Sequence, residues 1–578
     1  MLNELAQYAK KQKLIARPGY KPKHAKWVIV LSDAGEFIDV EPERDFPCCP
    51  SLDQGEMIAG GITRSHFLLD SLAVVTGTVK NEKNAEKNAQ KHNYFISLLH
   101  DAANAEPMLE LCANALEDSE IISQIQNKLT ALKAKPNDNL TFRVGNVYPL
   151  ELDTWHNWWD EFRGSIKSSK DNTETMVCLL SGEITKPVLT HEKISGLNSV
   201  GGQSTGTVLV GFDKDSFQSF GLKQSLNAAC SEQSVALYSS ALNNLIALSP
   251  RPLAGAKFIH WFKEPLAKEF DPIELALGLD QENEATRLEA LNQAEKLLRS
   301  VENGERPELL SNIYYVLELS AAGGRIMVRD WFVGNYAELA NNIRLWFDDI
   351  RLVTPDGKGM AKPFKLWAGL ARLLPHRNNE QDLSKRINTE LSSIMPRIWR
   401  SIIQGSIFPD TVPARALRHI QSRLYNVEED NLDRISCAWL KAWYNRKNRN
   451  LGGGLILHED LLTEHPSPAY QSGRLMAVLA EIQRAALGDV GAGIVQRYFA
   501  AASSTPALVL GRLVKISQFH LDKLDRGLAI WYEKIIAEIA SHMGSQVPNN
   551  LNLEEQTLFA LGYYQQKAVM FTKKNQPE

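Results

Sequence analysis

The chain has 578 residues, of which 44% are hydrophobic and 23% charged, with a formal net charge of −4. That length is more than one hydrophobic core supports, so roughly two to four domains are expected. The balance is that of a globular protein and excludes a uniformly basic nucleic-acid binder, so any basic surface has to be local. Residues 1–26 hold Lys10, Lys11, Lys13, Arg17, Lys21, Lys23 and Lys26 against the single acid Glu4. Leu2, Leu5, Tyr8 and Ala9 recur there at helical spacing and predict an opening amphipathic helix. WVIVL (27–31) and FIDV (37–40), joined through Asp33-Ala34-Gly35, read as a hairpin. A Gly60-Gly61 loop leads to Thr63-Arg64-Ser65 and then HFLLD, and 80–135 is polar, alanine-rich and helical, with the run 80–93 as a solvated face. Strands are expected at 141–145, 177–182 and 207–212. YYVLELS and GGRIMVRDWF follow within 311–353, and then a helix.

Beyond about residue 360 the pattern is mostly helical. Leu475, Val478, Leu479 and Ile482 form an apolar stripe. Three more helices are expected at 506–523, 526–542 and 552–566. Thr505 before Pro506 reads as a cap for the first, and Asn552 with Glu555 reads as a capping box for the third. The expected class is α+β: a mixed N-terminal half with small antiparallel sheets, then a mainly helical C-terminal bundle. The expected division is 1–355, a helical region 360–450 and a bundle 455–578, with LGGG (451–454) as a flexible connection.

The six cysteines form no CxxC pair, and the adjacent Cys48 and Cys49 suit a metal site poorly, so a reducing compartment without disulfides or zinc is expected. No cleavable leader and no long apolar span is evident, which points to the cytoplasm. Catalytic motifs fail one by one. Gly201 to Gly206 lacks the lysine of a phosphate loop. His458-Glu459 has Leu462 where a zincin needs its second histidine. No GxSxG elbow occurs. No catalytic, metal or cofactor residues are therefore assigned, and a non-enzyme is expected.

Basic clusters carry more. Arg415, Arg418, Arg423, Arg434, Lys441, Arg446, Lys447 and Arg449 gather in 414–449, interleaved with Trp439, Trp443 and Tyr444. Cations with aromatics suit single-stranded nucleic acid; the alternative is a bundle core with solvated arginines. The turn Gly201-Gly202-Gln203-Ser204-Thr205-Gly206 offers donors, acceptors and close backbone approach, or is a plain polar turn. Asn227 sits in the polar segment that follows, before Ser231, a candidate cap for the next helix.

PGY (18–20), WVIVLSDAGEFIDV, the block VCLLSGEITKPVLTHEKISGLNSVGGQSTGTVLVGFDKDSFQSFGLKQSLNAACSE, NIYYVLELSAAGGRIMVRDWF and LNLEEQTLFALGYYQQ (551–566) occur in one order along the chain. Together they resemble the large subunit of the subtype I-C CRISPR effector complex, Cascade. Thr63-Arg64-Ser65 departs from the lysine or proline expected in that family's loop. The resemblance implies a non-catalytic subunit of an RNA-guided surveillance complex. It would work beside backbone subunits, a guide-end-binding subunit, small subunits and guide RNA, and away from membranes. It would recognise a short flanking motif (the PAM) in duplex DNA, help to open the strands, stabilise the displaced strand and recruit a helicase-nuclease. Gly202, Gln203, Ser204, Thr205, Arg64, Ser65 and Asn227 are then the candidate readers. Lys21, Lys23, Lys26, Arg415, Arg418, Arg423, Lys441, Arg446 and Lys447 are the candidate backbone contacts. Met476 is either an internal start for a small subunit or a core methionine. The rival functions are a scaffold without base readout and a metal-dependent nuclease.

Overall fold

A computed structural model describes the chain apart from residues 15–16, 53–55, 58–63, 79–84, 169–173, 250–251, 268–269, 278–298, 300–306, 378–380, 427–430, 489–492, 545–546 and 575–578. Gly60, Gly61, Thr63 and the Lys80–Asn84 end of the polar run lie outside the described residues. The fold is α+β. Contacts divide it into Met1–Asn198 with Gly202–Ala247 and Ala321–Ile326, and Ser199–Gly201 with Leu248–Ser320 and Met327–Glu578. The sequence reading put its boundary at 355–360 instead.

In the first unit, α1 (Leu2–Lys11) buries Leu5, Ala6 and Ala9, and the Tyr8 hydroxyl donates to Asn244 Oδ1 at 2.8 Å. The expected hairpin extends well past its apolar runs, as β1 (Tyr20–Leu31) and β2 (Phe37–Pro50). With β3 (Asp70–Ser71) and β4 (Asn139–Val144) the sheet order is β2-β1-β4-β3. β1 and β4 run parallel, so this sheet is mixed, not antiparallel throughout. Its crossover carries α2 (Ala85–Ala102), α3 (Met108–Glu117) and α4 (Ser119–Ala131), with Asp118 capping α4. Phe67, Phe142, Trp155 and Trp159 pack in the core beneath. α5 (His156–Ser168) presents Arg163 to that core.

The expected strands 177–182 and 207–212 shrink to β5 (Met176–Val177) and β8 (Thr207–Val208), paired with β6 (Ile184–Thr185) and β7 (Lys193–Ile194) respectively. The first is cut short by a turn in which the Gly182 amide donates to Cys178 O at 2.8 Å. The other gains a single pairing, Val208 with Arg325. Apolar runs this short do not decide between strand and loop. α6 (Glu232–Leu248) closes the unit, and Ser231 Oγ accepts from the Ser234 amide, as its capping position predicts.

The second unit opens with β9 (Lys257–Phe262), antiparallel to β10 (Ile313–Ala322). β10 turns through Gly323 and Gly324, which count with the first unit, into β11 (Arg325–Asn335). Both glycines have positive φ, +56° and +86°, the geometry a two-residue hairpin turn demands. Asn335 then caps α7 (Tyr336–Ile350). The remaining helices include α8 (Thr411–Asn426), α9 (Arg434–Leu451), α10 (Pro468–Leu487), α11 (Pro506–Leu521), α12 (Arg526–Met543) and α13 (Leu553–Lys574). One core joins residues from Leu253 to Met570. α10 and α13 cross closely because Gly473 faces the Phe559 backbone and Gly562 faces the Tyr470 backbone. The LGGG link is tied back onto α9: Asn448 Nδ2 donates to Leu455 O and Asn445 Nδ2 to Leu457 O, both at 2.9 Å.

Glu318 on β10 is buried, and its Oε2 has no hydrogen-bond partner. Burial, helped by the Asp330 charge and opposed by Arg329, pushes its carboxyl up to about 8. The folded protein therefore binds a proton that the unfolded chain releases at ordinary glutamate pH, and this group's contribution falls as pH rises from about 4.5 to about 8. Glu318→Gln is expected to match wild type in urea unfolding near pH 5 and to exceed it by roughly 2–5 kcal/mol near pH 8.5. A constant difference across that range would contradict the assignment.

Candidate nucleic-acid interface

The polar turn lies in the first unit, with Gln203, Ser204 and Thr205 all exposed. Backbone bonds fix its shape. The Gly202 amide donates to Leu197 O at 2.8 Å, the Gly206 amide to Gln203 O at 3.0 Å and the Gln203 amide to Thr207 Oγ1 at 3.2 Å. Gly206 has a φ of +94°, and its missing Cβ makes room for Lys193 and Ile194. Gln203 lies beside Gly324 at the tip of the β10–β11 turn. The result is a rigid backbone that holds three adjacent polar side chains toward solvent.

Asn227 does a different job. Its Oδ1 accepts from the Ser219 amide at 2.9 Å and the Ser219 hydroxyl at 3.1 Å. Its Nδ2 donates to Leu222 O at 2.8 Å and Gln224 O at 2.9 Å. Both ends of the amide hold the loop, which makes Asn227 a clip for it.

Arg64 and Ser65 are turned into the fold. Arg64 Nη1 donates to Glu56 O at 2.7 Å, and Ser65 is buried with its hydroxyl unpartnered. Glu56 itself pairs with buried Arg163, whose Nη2 reaches Glu56 Oε1 at 2.7 Å and Glu232 Oε1 at 2.6 Å. Gly19 of the PGY motif adopts a φ of +81° directly against that guanidinium, while its carbonyl accepts from Trp159 Nε1 at 3.0 Å. Sequence reading missed Arg163, because its partners lie 107 and 69 residues away.

Of the β1 lysines, Lys26 pairs with Glu43, and Lys21 Nζ lies 3.5 Å from Glu192. Lys23 Nζ donates to Pro50 O, and burial pulls its ammonium down to about 8 against the pull of Cys49 and Asp70. Lys21 and Lys26 remain partly open to solvent.

In the second unit the basic cluster splits. Arg418 is exposed on α8. Arg415 reaches Leu373 O and Glu390 O at 3.4 and 3.3 Å, and Arg423 approaches Asp433 at 3.8 Å. Lys447 binds Glu554 at 2.7 Å and stands over the Trp443 ring. Lys441 and Arg446 are buried: Lys441 Nζ donates to Asp348 O and Asp349 O, and Arg446 Nε lies 3.5 Å from Asp349. Trp439 and Trp443 are core residues.

Cys178 is a further group that sequence reading missed. Its Sγ accepts from the Ser181 and Ser231 amides at 3.4 and 3.3 Å. Burial opposes ionisation, but these bonds and the Ser234 hydroxyl prevail and hold the thiol down to about 6. Among the described residues, His260, Asp271 and Glu274 form the group able to hold a metal ion. There His260 Nε2 meets Asp271 Oδ2 at 2.6 Å, and Asp271 Oδ1 is already accepting from the Ile273 amide. Also among the described residues, no helix is long and apolar enough to cross a membrane.

A family model described as "CRISPR-associated protein (Cas_Csd1)" matches residues 2–571. The chain belongs to that CRISPR-associated family. Membership makes it a subunit of a CRISPR-associated effector complex. A comparison with curated proteins gave no match. The match spans the block 177–232, which holds the polar turn and the Asn227-clipped loop.

Proposed function

We propose that this chain is the non-catalytic large subunit of a subtype I-C surveillance complex. In this reading it recognises the short motif flanking a target in duplex DNA. Guide RNA reads the target itself, as in other RNA-guided effectors. The observation that carries the reading is the exposed Gln203-Ser204-Thr205 turn on a backbone pinned by three hydrogen bonds. Pre-positioned amide and hydroxyl groups can reach base edges in a groove. Lys21, Lys26 and Arg418 supply phosphate contacts. Strand opening, stabilisation of the displaced strand, recruitment of the helicase-nuclease and a cytoplasmic site of action belong to the same reading. Val177, Leu179 and Ile184 stand exposed near the β5–β6 ribbon, as suits a chain that works within an assembly.

The scaffold reading gains support for the second unit alone, where Lys441, Arg446, Trp439 and Trp443 serve the core. Met476 is fully buried inside α10. A small subunit starting there would lack Tyr470 and Arg474, which bond Gln565 and Gln566 of α13.

Two variants separate the roles. Gln203→Ala is expected to lower the preference among flanking sequences by roughly 5–100-fold, the worth of one good base contact, with assembly intact. Arg418→Glu is expected to weaken all sequences alike and to flatten the salt dependence. Unchanged flanking preference in Gln203→Ala would remove the turn from the site.

A further inference from the structure

Phe220 is 97% exposed, more than any other large apolar residue described. It stands at the tip of the loop 213–227 with a φ of +54°, followed by Gly221 at +73° and Gln224 at +48°. A bulky side chain in the left-handed region is a rare and costly conformation, and such strain concentrates at binding sites. The Asn227 amide spends four hydrogen bonds, to Ser219, Leu222 and Gln224, holding the segment in that shape. The chain thus meets two costs at one residue, a ring in water and a strained backbone, and dedicates a side chain to keeping both.

The surroundings indicate what the ring takes. Gln218 and Gln224 are polar neighbours, and Lys214 and Lys223 are exposed on either side. The loop's other large aromatic, Phe217, is itself 41% exposed with Arg325 over one face, the guanidinium carbon 4.2 Å from the ring centroid, and Arg325 also pairs with Asp213. A fully exposed ring between Lys214 and Lys223, on a loop that also exposes Phe217 and the acids Asp213 and Asp215, suits a nucleobase stacked on the ring while the lysines face its phosphates. We infer that the Phe220 loop is a stacking platform for an unpaired base of single-stranded DNA, preformed by the Asn227 clip. This rests on the nucleic-acid reading above and adds a contact that reads no sequence.

The test is binding of the full chain to a single-stranded DNA oligonucleotide carrying 2-aminopurine, whose fluorescence drops on stacking. Wild type and Phe220→Trp should bind and quench. Phe220→Leu, a surface change that leaves the fold alone, should bind about tenfold more weakly and quench less. Its salt dependence should keep the wild-type slope, because phosphate contacts are untouched. Asn227→Ala should lose quenching while the ring is still present. Wild-type binding and quenching by Phe220→Leu would overturn the platform and leave the DNA reading standing. Normal DNA binding with failed capture of partner subunits would make the ring a protein contact and also overturn it. No affinity of the wild-type chain for the oligonucleotide would overturn the platform, while the duplex reading is tested separately by flanking-sequence preference in the assembled complex.

Discussion

Replacing Arg163 with methionine is expected to destabilise the first unit by about 3–5 kcal/mol, the usual cost of breaking a buried ion pair from one side. Arg163 and Glu56 are both buried, and Glu232 completes the group. Without the guanidinium, Glu56 is left charged or forced to take up a proton. The Gly19 turn also loses the planar group it is shaped around. Calorimetry should show one transition falling by roughly ten degrees. Arg163→Met with Glu56→Gln should recover part of the loss, because the stranded charge is gone. Equal losses in the single and double variants would mean that packing, not charge, dominates. Arg64 is bonded to the Glu56 carbonyl, so the loop before HFLLD should loosen in the same variant.

Asp349→Asn should cost the second unit a similar amount, about 3–5 kcal/mol, although the side chain keeps its shape. Asp349 is fully buried and accepts two bonds from Arg449, at 2.7 and 2.6 Å. Arg446 Nε lies 3.5 Å from the same carboxylate. Lys441 sits against the Asp348 and Asp349 carbonyls, and burial holds it down to about 8 while Asp349, Glu459 and Asp348 oppose that shift. An amide at 349 leaves buried Lys441 and Arg446 and half-buried Arg449 together with their shared counter-charge removed. The check is urea unfolding of Asp349→Asn against wild type. Wild-type stability would show that the cluster is held by carbonyls and packing alone.

These two sites mark where sequence reading stops. Local signals read well. Asn552 and Glu555 form the reciprocal box, Asn552 N to Glu555 Oε2 at 2.8 Å and Glu555 N to Asn552 Oδ1 at 3.0 Å. The three last helices fall within or close to their expected spans, α13 running further to Lys574. Thr505 differs: it precedes α11, but its hydroxyl donates back to Ala501 O and caps nothing. The basic cluster of 414–449 is harder. Nothing at local spacing tells that α9 is buried almost all round, because the acid that draws Arg449 inward lies 100 residues earlier. Phe220 is hidden for the opposite reason. A phenylalanine reads as core, and only the loop geometry sets it in water. Asn227 stood out as a polar residue in the family's most specific block, but whether it faces a ligand or its own loop depends on backbone shape.

The most direct measurement is DNA binding by the assembled complex, with and without this chain, on duplexes that differ only in the bases flanking a matched target. The account predicts that the chain creates a preference among flanking sequences without cutting DNA in magnesium, and that Gln203→Ala erodes this preference. If preference is the same with and without the chain, base readout lies in other subunits and this one is a scaffold. If the chain cuts DNA in magnesium, the non-catalytic reading is wrong.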